Sequence, residues 1–175
     1  MTHDKLTNVI DPNVLVDILS GPVRNKCIMM GEELEVMLVG GPNQRVDFHV
    51  NPTEEFFYQI RGPLHLSVID CDGQSNGDRR QITVNEGNCF LLPANVPHCP
   101  KRPDGTLGIV VERVRPAGML DHCIWLCRDC NLIIKDVAFQ CTNLETDIKA
   151  AITNAGSVPI RCPDCAHNII KQELN

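Results

Sequence analysis

Two histidines and a glutamate recur at spacings that would let them meet around one metal ion. Read from Gly41, the first pattern is G-x5-D-x-H-x5-E-x6-G, passing through Asp47, His49, Glu55 and Gly62. The second is G-x5-P-x-N-x2-H, through Gly87, Pro93, Asn95 and His98. On an extended "RVDFHV" strand, Arg45, Asp47 and His49 share one face by period-two alternation. The Asn51-Pro52 turn lets the next strand return Glu55 beside His49. His98 ends a later hairpin, behind the Pro93-to-Asn95 turn. Two histidines and one carboxylate on one face of a metal, with open positions opposite, form the ligand set of non-haem Fe(II) oxygenases. Ligand type leaves zinc or manganese open as well. Taken singly, each histidine reads equally well as a polar rim residue, and Glu54-Glu55 as a solvated edge. The three together at this spacing point to a metal site.

A second set is independent of the first. Cys127, Cys130, Cys162 and Cys165 form CxxC-x31-CxxC, a rubredoxin-like or zinc-ribbon spacing. Two such knuckles supply four thiolates, the tetrahedral set for zinc or a single iron. A closed site of this kind has no open position for a substrate, so a structural staple is the expectation, and electron transfer the sharper alternative. The other six of the ten cysteines are scattered, at Cys27, Cys71, Cys89, Cys99, Cys123 and Cys141. Paired knuckles in a chain of this length point to a reducing compartment, with the cytoplasm as the expected address.

The elements that must position these residues are mostly strands. The 175 residues fit one domain with a small appendage. Hydrophobic content of 43% and charged content of 22% exclude a disordered chain. A net charge of -6 argues against nucleic acid as a partner, whether for the whole surface or for the cysteine ribbon. No apolar run approaches 18 residues and Met1 opens no charged-then-apolar leader, so no membrane is expected. "DPNVLVDILS" predicts a short helix with Asp11 as its cap, Pro12 at its first position and Gly21-Pro22 at its end. Strands are predicted at "LEVMLV", "RVDFHV", "EFFYQI", "LHLSVI", "QITV", "NCFLLP" and "LGIVVERV", divided by turn signals such as Gly40-Gly41-Pro42 and Asn85-Glu86-Gly87. So many short strands suggest a sandwich or small barrel. Beyond "RPAGML", residues 123–139 predict a hairpin around the first CxxC. "NLETDIKAAITNAG" predicts a helix with Leu144, Ile148 and Ile152 on one face and Gly156 after its end.

The two glycine-punctuated motifs resemble those of the cupin jelly roll, a double-stranded β-helix. Two positions depart from that pattern. Asp47 stands where a first histidine is usual, and Asn95 where a glycine is. The first departure leaves His49, Glu55 and His98 as the ligand side chains. The expected organisation is a catalytic unit at 1–118 with its N-terminal helix, and a CxxC/CxxC metal-binding extension at 119–175.

"VGGPNQRVDFHVNPTEEFFYQIRG", "LLPANVPHCPKRP" and "IVVERVRPAGM" closely resemble the 3-hydroxyanthranilate 3,4-dioxygenase family, over nearly the whole chain and including the C-terminal CxxC pairs. The "NPT" and "NVPH" stretches are more similar to its fungal members. The resemblance implies a ring-cleaving enzyme that combines 3-hydroxyanthranilate with O2 to give 2-amino-3-carboxymuconate semialdehyde, the precursor of quinolinate on the kynurenine route to NAD. It implies Fe(II) on His49, Glu55 and His98, a second iron or zinc on the four cysteines, and a homodimer. Arg45, Arg102 and Glu112 match the family's substrate and oxygen pocket, with Glu55 beside them. An aromatic carboxylate calls for a forked cation, which guanidinium supplies. Cys99 stands where serine is common in the family, and "DCDGQSNGDRR" is longer than in many bacterial members. Other readings are a metallo-cupin acting on a different small acid, or a non-catalytic cupin whose ribbon binds a partner. His3, His65, His122 and His167 read as surface or strand residues, and Phe56-Phe57-Tyr58 and Trp125 as core or interface.

Overall fold

A computed structural model describes residues 9–19, 23–43, 45–70, 77–156 and 161–165. The predicted N-terminal helix forms as a 3-10 helix over Pro12–Ile18. Asp11 caps it, accepting from the Asn13 amide at 2.9 Å. Seven residues are too few to nucleate a stable α-helix, and 3-10 geometry suits such short pieces. Leu15 and Leu19 pack onto Leu38 and Leu107, whereas Val14 and Ile18 stay exposed.

Eleven strands follow among the described residues. They are β1 (Asn25–Met30), β2 (Leu34–Gly40), β3 (Phe48–Val50), β4 (Glu55–Arg61), β5 (Leu64–Asp70), β6 (Asp78–Val84), β7 (Cys89–Leu92), β8 (His98–Lys101), β9 (Leu107–Arg113), β10 (Asp121–Leu126) and β11 (Ile133–Phe139). One sheet has the order β1-β2-β9-β4-β7 and the other β11-β10-β3-β8-β5-β6, with antiparallel pairing throughout. From β2 to β5 and from β6 to β10 successive strands cross between the two sheets, which is the double-sheet jelly roll of the cupins. The inward faces meet in a core that includes Phe57, Leu66, Val68, Leu92, Val110 and Trp125.

The predicted hairpin is β10–β11, and β10 pairs with β3 as an integral strand of the second sheet. The predicted C-terminal helix is α1 (Asp147–Asn154), shorter than its sequence signal. Ile148 and Ala151 of α1 bury into the main core alongside Leu144. Gly156 takes φ +67° just past its end, the left-handed turn that glycine adopts without a Cβ clash.

Two strands escape the sequence reading, and one is shorter than predicted. β1 has a mixed burial pattern without clean alternation. β8 contains Pro100 and follows Pro97, and proline normally demotes a strand to an edge. β8 nevertheless lies inside its sheet because the segment before β3 leaves the regular ladder. There the Asn43 side chain donates to Pro100 O at 2.8 Å and accepts from the Arg102 amide at 2.8 Å. Asn43 thus takes the place of a paired strand for the Pro100 carbonyl and the Arg102 amide. Consequently "RVDFHV" is strand only from Phe48, and Arg45 and Asp47 sit on irregular backbone, although both are buried. A Cβ at Gly41 would lie 1.8 Å from Pro103 O, so the first motif's glycine is a close backbone crossing. Asn95 has φ 63°, which explains why asparagine can replace glycine in the second motif. His3, Gly21-Pro22, Cys71, His167 and most of the "DCDGQSNGD" loop lie outside the described residues.

Candidate metal centre and its pocket

Neighbouring strands bring the first constellation together. His49 lies mid-β3 and stands opposite His98, the first residue of β8. Glu55 opens β4 and stands opposite Glu112 of β9. All four are buried. Glu55 Oε1 lies 3.2 Å from His98 Nε2 and 3.6 Å from His49 Nδ1. The ligand atoms of the three residues all lie within 4.8 Å of one another. Glu55 Oε1 is buried and makes no hydrogen bond, so the two nitrogens are near it without being aligned to donate. Ligand bonds of about 2.0–2.2 Å set donor atoms roughly 3 Å apart. The three residues fit a shared divalent cation.

The remaining ring nitrogens are both engaged. His98 Nδ1 lies 3.0 Å from Val96 O, and His49 Nε2 lies 2.8 Å from Asp121 Oδ2. Burial pushes the His49 pKa down. Burial acts the same way on His98, but the Glu55 charge outweighs it and raises that pKa above the ordinary 6.5. Glu55 drops to about 2, because His98 more than offsets the upward push of burial.

These residues line one pocket, together with Arg45, Arg102 and Glu112. Its apolar wall includes Met37, Val39, Phe57, Val110, Leu144 and Ile148. The two arginines differ. Arg45 donates to Asp47 through Nε at 3.2 Å and Nη2 at 2.5 Å, and Asp47 raises its pKa against the downward push of burial. Arg102 is 4% exposed and its Nε has no partner among the described residues. Burial, then Arg45, pushes the Arg102 pKa down to about 9, which still leaves it a cation at neutral pH. A buried guanidinium without an anion is a receptor for one. Glu112 accepts from Asn51 Nδ2 at 2.9 Å and Arg115 Nη2 at 2.7 Å, both on Oε2. Burial and the nearby Glu55 raise it to about 8 despite Arg115.

The structure thus brings together every residue expected of the first site, and it adds Asn51, Arg115 and Asp121. In the sequence Asn51 reads only as part of a turn, and Arg115 is not singled out. Nothing local marks Asp121, which lies 72 residues from His49.

The cysteine set also converges. Cys127 and Cys165 sulfurs are 3.5 Å apart, and those of Cys130 and Cys162 are 3.6 Å apart. The ligand atoms of all four lie within 4.8 Å of one another. Thiolates around one tetrahedral metal with bonds of about 2.3 Å stand just under 4 Å apart. Against the upward push of burial, the Cys130 and Asp129 backbone lowers the Cys127 thiol to about 6. Arg79 Nη2 donates to Cys127 O at 3.3 Å, tying the knuckle to β6. Among the described residues no helix is long and apolar enough to cross a membrane.

Residues 9–155 match the family model for 3-hydroxyanthranilic acid dioxygenase. A 3-hydroxyanthranilate 3,4-dioxygenase of Candida albicans is 48% identical over 136 residues, covering 78% of this chain and 76% of that protein. The enzyme of the same name from Bacillus thuringiensis is 42% identical over 160 residues, or 90% of this chain and 87% of its own. Among solved structures, a cupin-2 domain protein of Shewanella frigidimarina aligns with TM-score 0.49 and 20% identity over 60% of this chain and 94% of that one. The chain belongs to the 3-hydroxyanthranilic acid dioxygenase family.

Proposed function

We propose that this member of the family opens the ring of 3-hydroxyanthranilate with O2, placing both oxygen atoms in 2-amino-3-carboxymuconate semialdehyde, from which quinolinate forms for NAD synthesis. One observation carries the reading: Arg102, a buried cation lacking a partner at Nε, shares a cavity with a two-histidine, one-carboxylate cluster. His49, Glu55 and His98 hold the catalytic metal, which we take to be Fe(II). Ferrous iron in such a site supplies the redox capacity that lets O2 react with an aromatic ring. The protein's own part is orientation and charge balance. Arg102 receives the substrate carboxylate. Glu112, whose pKa burial and Glu55 raise to about 8, keeps Oε1 available to exchange hydrogen bonds with the ring amine or hydroxyl, and Glu55 assists from the metal side. Arg45, oriented by Asp47, places a fixed positive charge at the pocket wall where negative charge develops on oxygen.

The four cysteines hold a second iron or zinc with a structural task. The division at 118/119 is one of labour, with β10 and α1 contributing to the shared core. We place the enzyme in the cytoplasm, where thiolates stay reduced, and as a homodimer. The dimer is supported by Phe56 and Leu91, which stand opposite each other on an outer sheet face at 39% and 54% exposure, with Tyr58 beside them. Sedimentation equilibrium tests that assembly. Fe(II)-reconstituted protein should consume one O2 per 3-hydroxyanthranilate and release the ring-opened product. Full iron occupancy of the triad without turnover of this substrate would overturn the assignment.

A further inference from the structure

The His49 ring is held from behind by groups that neither motif contains. Asp121 is fully buried at the start of β10, and its Oδ2 lies 2.8 Å from His49 Nε2. Arg115 grips the same carboxylate with a fork: Nε lies 2.9 Å from Oδ1, and Nη2 lies 2.7 Å from Oδ2. The same Nη2 donates to Glu112 Oε2 at 2.7 Å, while Nη1 donates to Arg113 O at 2.7 Å. A carboxylate so held by a guanidinium stays ionised and can only accept. His49 must therefore carry its proton on Nε2. His98 is fixed the opposite way, since Val96 O can only accept from Nδ1.

We propose that Asp121 and Arg115 are positioning residues for the metal centre: Asp121 locks His49 so that Nδ1 is the ligating nitrogen, and Arg115 sets that carboxylate in fixed relation to Glu112 on the substrate side. The centre is then asymmetric, with one histidine ligating through Nδ1 and the other through Nε2. Without Asp121 the His49 ring is free to turn about its Cβ–Cγ bond, which would exchange Nδ1 for a carbon. An ordinary structural pair between β9 and β10 would need Arg115 and Asp121, but not the short contact to His49. The planar guanidinium also makes the Asp121-to-Glu112 spacing rigid, which a lysine ammonium would not.

This inference rests on the triad being the metal site, and the test separates the two. In full-length protein carrying zinc at both centres, 15N spectra of labelled histidine should show His49 metal-bound at Nδ1 and protonated at Nε2. His98 should show the reverse. This measurement needs no variant and so survives any folding defect. With zinc at the cysteines, Mn(II) binding to the triad is read by electron paramagnetic resonance. Asp121→Asn should weaken Mn(II) by about 10- to 100-fold, the usual cost of losing such a supporting carboxylate. Arg115→Lys should weaken it less. Zinc on Nε2 of His49, or a folded Asp121→Asn protein with unchanged Mn(II) affinity, overturns the proposal while the triad stands. Zinc on neither histidine, or full Mn(II) binding by His98→Ala, overturns the triad reading and this one with it.

Discussion

His98 Nε2 approaches Glu55 Oε1 to 3.2 Å, yet that buried oxygen accepts no hydrogen bond. Two side chains brought this close without a hydrogen bond between them are placed to share one cation. The same contact also fixes how protons and metal compete. Glu55 is ionised down to about 2, burial lowers the His49 pKa, and the Glu55 charge raises that of His98 against the push of burial. The proton that competes with metal is therefore the one on His98. Mn(II) affinity at the triad should rise about tenfold per pH unit up to the raised His98 pKa and level off beyond it. A profile that is flat below 6.5 would show that His98 does not carry the competing proton.

Replacing His98 by Ala should remove the triad metal and leave the cysteine metal in place, because the four sulfurs share no residue with the triad. Metal counted per chain should fall by one equivalent and turnover should vanish. Retention of both equivalents with full turnover would contradict the ligand set.

The two pocket arginines should fail differently. Arg102→Ala removes a charge-assisted bond to the substrate carboxylate, about 1.5–3 kcal/mol, seen chiefly as a raised KM. Lysine should restore part of it, lacking the fork. Stability should fall less than for Arg45, since Arg102 Nε has no hydrogen-bond partner to lose among the described residues. Arg45→Ala instead strands Asp47 as a lone buried charge, at about 3–5 kcal/mol. Denaturation midpoints of the two variants decide the matter. An Arg45→Ala protein as stable as wild type would mean that Asp47 does not depend on it.

That contrast also marks what the sequence made legible. Period-two logic put Arg45, Asp47 and His49 on one side, and all three are buried. It could not foresee that the backbone leaves the ladder before Phe48, because the cause is Asn43 reaching across to the Pro100 and Arg102 backbone. β8 was hidden for the complementary reason, since its prolines suppress a strand signal that the same asparagine compensates. The jelly roll and the triad were legible because glycine crossings and ligand types are local properties. The Asp121–Arg115 support was not, because Asp121 reaches His49 through sheet pairing rather than through proximity in the chain.

The cysteine centre should act as a staple and not as a redox relay. Cys127 directly follows β10, so metal at the four thiolates pins the end of the strand that carries Asp121. Cys162 and Cys165 tie the chain beyond α1 to the same point. Ring opening with both oxygens retained in the product needs no external electrons, so this centre has no electron to deliver. Cys127→Ser or Cys165→Ser should lower thermal stability and metal content by more than turnover per intact triad. Any loss of turnover that does occur should track weaker metal binding at the triad, the expected result of loosening β10. Zinc and iron at the cysteines should support the same rate, because zinc accepts the same tetrahedral geometry and has no redox chemistry. A preparation with zinc on the thiolates, iron in the triad and no activity would sink the staple and make electron transfer the better account.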